Sequence, residues 1–224
     1  MKRTIISLLC LAALLCAALY FHYRNPAGEL PAGDDCGLSL AKPVLCLYPE
    51  TETKVSVCLD LDGELTCTYP VYDGGWVVTA QPDGTLTDAM GQTYNYLYWE
   101  GITQTECDFS QGFCVPGEHT ATFLENALTQ LGLTRREANE FIVYWLPRME
   151  ANPYNLISFQ SAAYTGRARL TISPEPDSLL RVFMAWKPLE APADIPPQNL
   201  PAFERTGFAV VEWGGAEIDS GKIS

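Results

Sequence analysis

Apolar and polar positions alternate along much of the chain after residue 42, in runs of about six residues. Such alternation is typical of strands that bury one face, and the runs are separated by Gly, Pro and Asp turns. The predicted strands are Pro43–Tyr48, Lys54–Asp60, Glu64–Tyr69, Trp76–Ala80, Thr85–Thr87, Thr93–Trp99, Leu156–Phe159, Ala168–Ile172, Leu179–Trp186 and Phe208–Trp213.

Two of these strands, Lys54–Asp60 and Glu64–Tyr69, flank a short Asp-Gly turn, so we expect them to pair as a hairpin. A three-residue loop places all of their apolar side chains on one face, whereas a two-residue turn does not. Because a shift of one residue would move the whole apolar set, the pattern favours the longer loop. That register predicts that Cys58 and Cys67 do not form a cross-strand disulfide.

The period changes to that of a helix in the middle of the chain. Thr120–Leu131 carries apolar residues three and four positions apart, and Gly132 is a typical helix terminator. Thr134 and Glu137 fit a capping box at the start of a second helix. Pro147 is expected to end or kink that helix. The sequence therefore predicts a pair of helices joined by a short connection.

The first apolar segment differs from all the others because it lacks a polar face. Thr4–Phe21 is 18 residues without a charge, long enough for a helix to cross a bilayer, and it follows Lys2 and Arg3. We interpret it as an uncleaved anchor with the remainder of the chain outside the cell membrane. A cleaved signal peptide, followed by secretion, is the main alternative. A lipoprotein signal fits less well, because leucine precedes both Cys10 and Cys16.

The order of elements predicts an α+β fold: a largely antiparallel β-sheet with a helix pair packed on it, preceded by one N-terminal transmembrane helix. The predicted organisation is an anchor over 1–21, a polar linker over 22–42, a single extracytoplasmic domain over 43–215 and a C-terminal tail over 216–224.

Composition narrows the range of partners. The formal net charge is -13 and 47% of the residues are hydrophobic, so the chain is expected to fold and to repel phosphate backbones. We therefore predict no nucleic acid partner, and contact with the membrane only through residues 4–21.

The aromatic residues near the middle of the chain suggest a binding surface. Tyr94, Tyr96 and Tyr98 alternate on one predicted strand, with Trp76 and Trp99 close in sequence. Aromatic rings on a sheet face can stack on sugar rings, and tyrosine adds a hydroxyl group. The alternative is that the three tyrosines pack against the helix pair as part of the core, as large aromatic side chains on strands often do.

Six cysteines lie outside the apolar segment. Cys107 and Cys114 flank a glycine-containing loop and are the favoured disulfide pair, although Cys46 and Cys67 fit equally well as buried thiols. A zinc site formed by Cys107, Cys114 and His119 matches no usual spacing. We predict no metal and no cofactor.

Five stretches of the chain resemble a family of uncharacterised proteins from Gram-positive bacteria that are secreted or anchored in the membrane. The resemblance implies one domain in an extracytoplasmic setting, and no activity or catalytic residue. Cys46 departs from the family, in which a tyrosine or a large aliphatic residue is expected. The five stretches are Lys42–Glu50 (KPVLCLYPE), Gln92–Gly101 (QTYNYLYWEG), Glu137–Gln160 (EANEFIVYWLPRMEANPYNLISFQ), Leu180–Leu189 (LRVFMAWKPL) and Arg205–Gly215 (RTGFAVVEWGG).

Two functions follow as hypotheses. The first is a non-enzymatic protein of the cell envelope that binds a partner, either a glycan or a protein. The second is a hydrolase that acts on cell-wall polymers through carboxylates in a cleft. The first predicts accessible tyrosines, and the second predicts a deep pocket with two carboxyl groups of perturbed pKa.

Overall fold

The computed structural model describes residues 37–104, 106–160 and 162–218. Within these residues the alternating pattern produces twelve strands, and the helical spacing produces two of three α-helices. The strands are β1 (Leu38–Tyr48), β2 (Thr53–Leu61), β3 (Gly63–Tyr69), β4 (Trp76–Ala80), β5 (Leu86–Thr87), β6 (Thr93–Tyr94), β7 (Leu97–Thr103), β8 (Phe113–Pro116), β9 (Tyr154–Phe159), β10 (Ala168–Ser173), β11 (Ser178–Leu189) and β12 (Ala209–Glu217).

The helices are α1 (Thr120–Gln130), α2 (Arg135–Met149) and the short α3 (Ala162–Arg167). The predicted capping box is confirmed, because the Thr134 side chain accepts a hydrogen bond from the backbone N–H of Glu137 and the Glu137 side chain accepts one from Thr134. Pro147 was predicted to end or kink α2, and the helix continues past it to Met149. Pro147 lies inside the last turn of the helix, so only the one hydrogen bond of its missing N–H is lost, close to the helix end.

The strands form two sheets. The larger has seven strands in the order β3-β7-β1-β12-β11-β9-β8, and the smaller has five in the order β10-β2-β4-β5-β6. Strands β11 and β12 run parallel, and the other paired strands of the described residues are antiparallel. The predicted α+β class with a largely antiparallel sheet is therefore confirmed.

The seven-stranded sheet is the middle of three layers. One of its faces packs against α1 and α2, where Trp213 of β12 meets Phe141 of α2 with ring centroids 5.6 Å apart. The opposite face packs against the smaller sheet, where Trp99 of β7 and Trp76 of β4 are buried in one cluster. Because both faces of its central strands are covered, β12 is buried from Ala209 to Ala216.

The predicted hairpin between Lys54–Asp60 and Glu64–Tyr69 is wrong. Both segments are strands, but β2 belongs to the smaller sheet and pairs with β10 and β4, whereas β3 belongs to the larger sheet and pairs with β7. The Asp62 backbone N–H donates to the carbonyl of Arg167 at 2.7 Å, so the connection passes from one sheet to the other. Cys58 and Cys67 are free thiols.

The ends of the domain differ from the predicted boundaries. Strand β1 begins at Leu38, inside the segment assigned to the linker, and β12 continues to Glu217, inside the predicted tail. The apolar segment Thr4–Phe21 lies outside the described residues. None of the helices in the described ranges has the length and hydropathy that crossing a bilayer requires.

Candidate functional site

Polar and aromatic side chains lie at one edge of the middle sheet, on the same face that packs against the helices elsewhere. Trp99 of β7 is buried between the two sheets, so its neighbours Tyr98 and Glu100 lie on the opposite face. Strand β3 pairs with β7 so that Tyr69 is opposite Tyr98 and Cys67 is opposite Glu100. Directly opposed residues share a face, so these four side chains form one surface.

The helices leave this surface uncovered. The buried cluster beneath α1 and α2 takes its sheet residues from β1, β12, β11, β9 and β8, whereas Tyr98 only borders it. On β3, Tyr69 is 62% exposed and Cys67 is also exposed. We call the surface formed by Cys67, Tyr69, Tyr98 and Glu100 the open face.

A bulge in β1 places Lys42 at the border of the open face. The pairing of β1 with β12 and with β7 shifts register just before Val44, and Lys42 has a φ of +56°. A side chain disfavours this left-handed conformation by roughly 1–2 kcal/mol. The Lys42 backbone N–H donates to Oε1 of Glu100 at 3.2 Å, which holds the bulge against β7. Strained backbone that is fixed in this way is concentrated at functional sites.

The ammonium group of Lys42 is surrounded by aromatic rings. Its Nζ lies 5.4 Å from the ring centroid of Tyr96, 5.7 Å from that of Tyr144 and 5.9 Å from that of Trp213. The same nitrogen donates to the Tyr96 hydroxyl at 3.5 Å. Cation–π attraction to several rings therefore fixes a charge that would otherwise move freely on its four-carbon chain.

Helix α2 supplies a second cation at the same border. Tyr144 and Arg148 are four residues apart, so they lie on one side of the helix. The guanidinium carbon of Arg148 is 4.2 Å from the Tyr144 ring centroid, and Nη1 donates to the Tyr144 carbonyl. Tyr144 in turn packs edge-on against Trp145 at 4.9 Å. The Tyr144 ring is thus shared by the charges of Lys42 and Arg148.

The phenols of this surface are held in their neutral form. Burial and then the adjacent Glu100 carboxylate raise the pKa of Tyr98. Burial raises the pKa of Tyr144, and Arg148 opposes this shift. At neutral pH both hydroxyl groups therefore keep their protons, and Tyr98 shares its proton with Glu100 in a hydrogen bond.

The five aromatic residues predicted as a binding surface lie in three different places. Trp76 and Trp99 are 3% and 1% exposed in the core between the sheets, so they are not accessible to a ligand. The chain bends after β6, so Tyr94 belongs to the smaller sheet while Tyr98 belongs to the larger one. The prediction that Tyr94, Tyr96 and Tyr98 share one sheet face is therefore wrong.

Tyr96 and Tyr98 nevertheless lie together at the cluster beneath the helices, half-buried, whereas Tyr94 packs against the cluster between the sheets. The hydroxyl of Tyr94 donates to Oδ2 of Asp88 at 2.9 Å, and its ring meets that of Tyr69 at 5.4 Å. Two of the five predicted residues thus belong to the site.

The other residues of the candidate site were not predicted from the sequence. Tyr144 and Arg148 could have been found, because an aromatic and a cationic residue at this helical spacing are expected to meet. Tyr69 and Glu100 depend on the pairing of β3 with β7, which no local pattern specifies. Lys42 depends on a bulge, and the residues around it carry no glycine that would have marked one.

The predicted disulfide between Cys107 and Cys114 is not formed, since both are free thiols in the structure. Cys114 lies in β8, where it pairs opposite Leu156, and its Sγ accepts a hydrogen bond from the Ala193 N–H at 3.3 Å. Cys107 lies instead beside Leu40 at a small cavity. Pairing of β8 with β9 gives the two thiols separate environments.

A buried ion pair lies between the two sheets. Glu212 of β12 has no exposed surface, and its Oε2 accepts a hydrogen bond from Nε of Arg181 at 2.6 Å. Trp99 Nε1 donates to Oε1 of Glu212 at 3.2 Å, and Nη1 of Arg181 donates to the Ala168 carbonyl at 2.6 Å. Tyr164 of α3 covers the guanidinium at 4.7 Å. This enclosed pair connects the middle sheet to α3 and β10.

Carboxyl groups also line a cavity beside Tyr96. Asp83, Glu137 and Glu140 surround a volume of about 20 Å³, which has room for a water molecule but not for a sugar. Burial alone would raise the pKa of Glu137, but hydrogen bonds from Arg205 and from the Thr134 N–H outweigh it and lower the pKa. Three larger cavities of about 230, 340 and 320 Å³ are each lined by at most one carboxylate.

Fold and site together define a three-layer α+β protein with an open aromatic face beside two cations. Over 78 residues, 34% of this chain and 75% of the relative, the sequence is 46% identical to the "Uncharacterized protein in bglA 3'region" of Butyrivibrio fibrisolvens, a Gram-positive bacterium. The chain belongs to the family of that protein. No protein-family model matches it. No solved structure matches it either.

Proposed function

We propose that the protein is anchored in the cell membrane with its folded domain outside, and that the open face binds a glycan of the cell envelope. The observation that carries the proposal is the position of Tyr98, half-exposed between Tyr69 and Glu100 on sheet surface that the helices do not cover. An accessible aromatic surface with a fixed acceptor beside it suits a sugar, which has an apolar ring face and a rim of hydroxyl groups.

The arrangement of polar groups supports a sugar better than a flat apolar partner. Glu100 offers an acceptor for sugar hydroxyls and the neutral phenol of Tyr144 offers a donor, while the Tyr98 hydroxyl is hydrogen-bonded to Glu100 and its ring face is free to stack. The Lys42 N–H already fixes one oxygen of Glu100, so this acceptor is ordered before a ligand arrives. Such preorganisation lowers the entropic cost of binding.

The hydrolase alternative would be favoured by a cleft with two carboxyl groups, at least one with a raised pKa. Asp83 and Glu137 line the same cavity, but hydrogen bonds to Thr85 lower the pKa of Asp83, and Glu137 is paired with Arg205. Neither is poised to donate a proton at neutral pH. We therefore do not propose hydrolysis.

Binding can be tested on an array of bacterial and plant cell-wall glycans with the full-length chain in detergent. We expect Tyr98→Ala to weaken binding at least roughly fivefold, because an aromatic residue at the centre of an interface commonly contributes more than about 1 kcal/mol. Tyr154→Ala is the matched control. Tyr154 is also half-buried, but it lies at the start of β9, near the opposite edge of the seven-stranded sheet from β7. Equal loss in the two variants, or unchanged binding by Tyr98→Ala, would contradict the proposal.

Location can be tested separately through Cys58 and Cys67, which are exposed thiols of the folded domain. We expect a membrane-impermeant maleimide to label both residues on intact cells that express the protein. A variant with Ser at both positions gives the background. Labelling only after lysis would place the domain inside the cell.

A further inference from the structure

We infer that the glycan bound by the open face is anionic, and that Lys42 and Arg148 bind its carboxylate or phosphate groups. This inference rests on the proposed function and specifies its ligand class. Both cations contact the Tyr144 ring. The Lys42 ammonium lies 5.7 Å from the ring centroid, and the guanidinium carbon of Arg148 lies 4.2 Å from it.

Among the described residues, neither Lys42 nor Arg148 forms an ion pair with a carboxylate. In the part of the chain that the structure describes, the ion pairs join other basic residues to carboxylates, for example Arg205 to Glu137 and Arg181 to Glu212. Lys42 and Arg148 have aromatic rings and carbonyl or hydroxyl oxygens as their partners instead. Two like charges near one ring repel each other, and an anion bound close to both would offset that repulsion.

The surrounding charge makes this pair unusual. The chain carries 14 basic and 27 acidic residues, so most of its surface repels anions. Glu100 is also close, but its Oε1 accepts from the Lys42 N–H and its carboxylate neighbours the Tyr98 phenol. We assign Glu100 to the hydroxyl groups of the sugar, and the two cations to the anionic group carried by the same or the next sugar.

The chemistry of the two cations also suits an oxyanion. A guanidinium presents parallel N–H donors that match a carboxylate or a phosphate, and an ammonium adds a point charge. Contacts with aromatic rings hold both groups at one border of the open face, which lowers the entropic cost of using them to bind an anion. Sugars with a carboxylate and sugars with a phosphate share this chemistry.

Calorimetric titration of the full-length chain with matched glycans tests the inference. Tetragalacturonate is compared with its fully methyl-esterified form, which has the same rings without charge. Pentamannose 6-phosphate is compared with neutral pentamannose in the same way. We expect the charged member of at least one pair to bind roughly tenfold more tightly, and the pair that shows this identifies carboxylate or phosphate as the preferred group.

Variants assign that preference to residues. Lys42→Gln and Arg148→Gln should each lower the ratio of the affinities for the charged and the neutral glycan, and Lys54→Gln on β2 should leave that ratio unchanged. Arg148 is exposed, so its variant is expected to fold, and circular dichroism checks both variants. Equal affinity for charged and neutral forms would overturn the inference and leave the proposed function standing. A preference that survives in both variants would overturn the assignment to Lys42 and Arg148.

Discussion

The backbone N–H of Lys42 donates to Oε1 of Glu100 at 3.2 Å and so ties the bulge of β1 to strand β7. At the same residue the backbone takes a φ of +56°, and the side chain reaches the rings of Tyr96 and Tyr144. The hydrogen bond keeps a strained conformation that places the Lys42 ammonium at the border of the open face. The strained backbone and the proposed binding surface therefore meet at one residue.

Replacing Lys42 by Gly and by Ala separates the backbone from the side chain, because both variants lose the ammonium. Gly adopts the left-handed conformation without a steric penalty, whereas Ala does not. We expect the Gly variant to be more stable than the Ala variant by about 1 kcal/mol in urea unfolding. The order should reverse at Lys54, in the interior of β2, where Gly is normally the worse residue by about 0.5–1 kcal/mol. An Ala variant at Lys42 as stable as the Gly variant would show that the bulge is not strained.

The buried pair of Glu212 and Arg181 should contribute strongly to folding. Glu212→Gln leaves the guanidinium without a counter-charge in the core, and we expect a loss of about 3–5 kcal/mol in the free energy of unfolding. The exposed pair of Asp60 and Arg169 is the control, since Asp60→Asn should cost less than about 1 kcal/mol. A loss of similar size in both variants would mean that water reaches Glu212.

Glu137 should make stability depend on pH in the acid range. Its pKa lies below the ordinary value of 4.5 because hydrogen bonds from Arg205 and the Thr134 N–H outweigh the effect of burial. The folded state therefore binds this proton more weakly than the unfolded state does. The stabilisation is complete above pH 4.5 and is lost as the pH falls through the folded-state pKa.

The matching variant is Glu137→Gln, measured by urea unfolding at pH 7 and at pH 3. We expect it to be about 2 kcal/mol less stable than the wild type at pH 7, because a charge-assisted hydrogen bond is lost. The gap between the two proteins should shrink at pH 3. A gap of the same size at both pH values would contradict the assigned pKa shift.

Features that depend on nearby residues could be predicted from the sequence. The capping box of Thr134 and Glu137 is one example, because its partners are three residues apart. Strands β4 and β5 are another: both were predicted, they are close in sequence, and they pair across the Gln81–Thr85 turn. Most strand positions were also correct, because alternation reports which side chains are buried.

Strand partners could not be predicted in the same way. Alternation in β2 and β3 is compatible with a hairpin and with two strands in different sheets, and only the tertiary pairing with β10 and β7 decides between them. The same limit applies to the segment from Tyr94 to Tyr98, which reads as one strand but bends between two sheets. The site depends on these pairings, so only Tyr96 and Tyr98 were identified.

The cysteines give a check on the fold that needs no ligand. Cys58 and Cys67 are exposed, whereas burial raises the pKa of Cys46 to about 12 and that of Cys107 to about 11. Because the thiolate is the reactive form, iodoacetamide at pH 8 should label Cys58 and Cys67 well before Cys46.

Peptide mapping without reduction should also show Cys107 and Cys114 as free thiols after unfolding. A disulfide-linked peptide that contains both would contradict the structure at β8.

A glycan bound to the open face should cover Cys67, so the reactivity of this thiol measures whether the surface is occupied. The measurement is the rate of iodoacetamide labelling at Cys67 with and without a saturating amount of the glycan that gives the strongest array signal. Cys58, which is also exposed but lies on β2 of the smaller sheet, is the internal reference. We predict that the glycan slows labelling of Cys67 and leaves Cys58 unchanged. Unchanged labelling of Cys67 by a glycan that is fully bound would contradict the account.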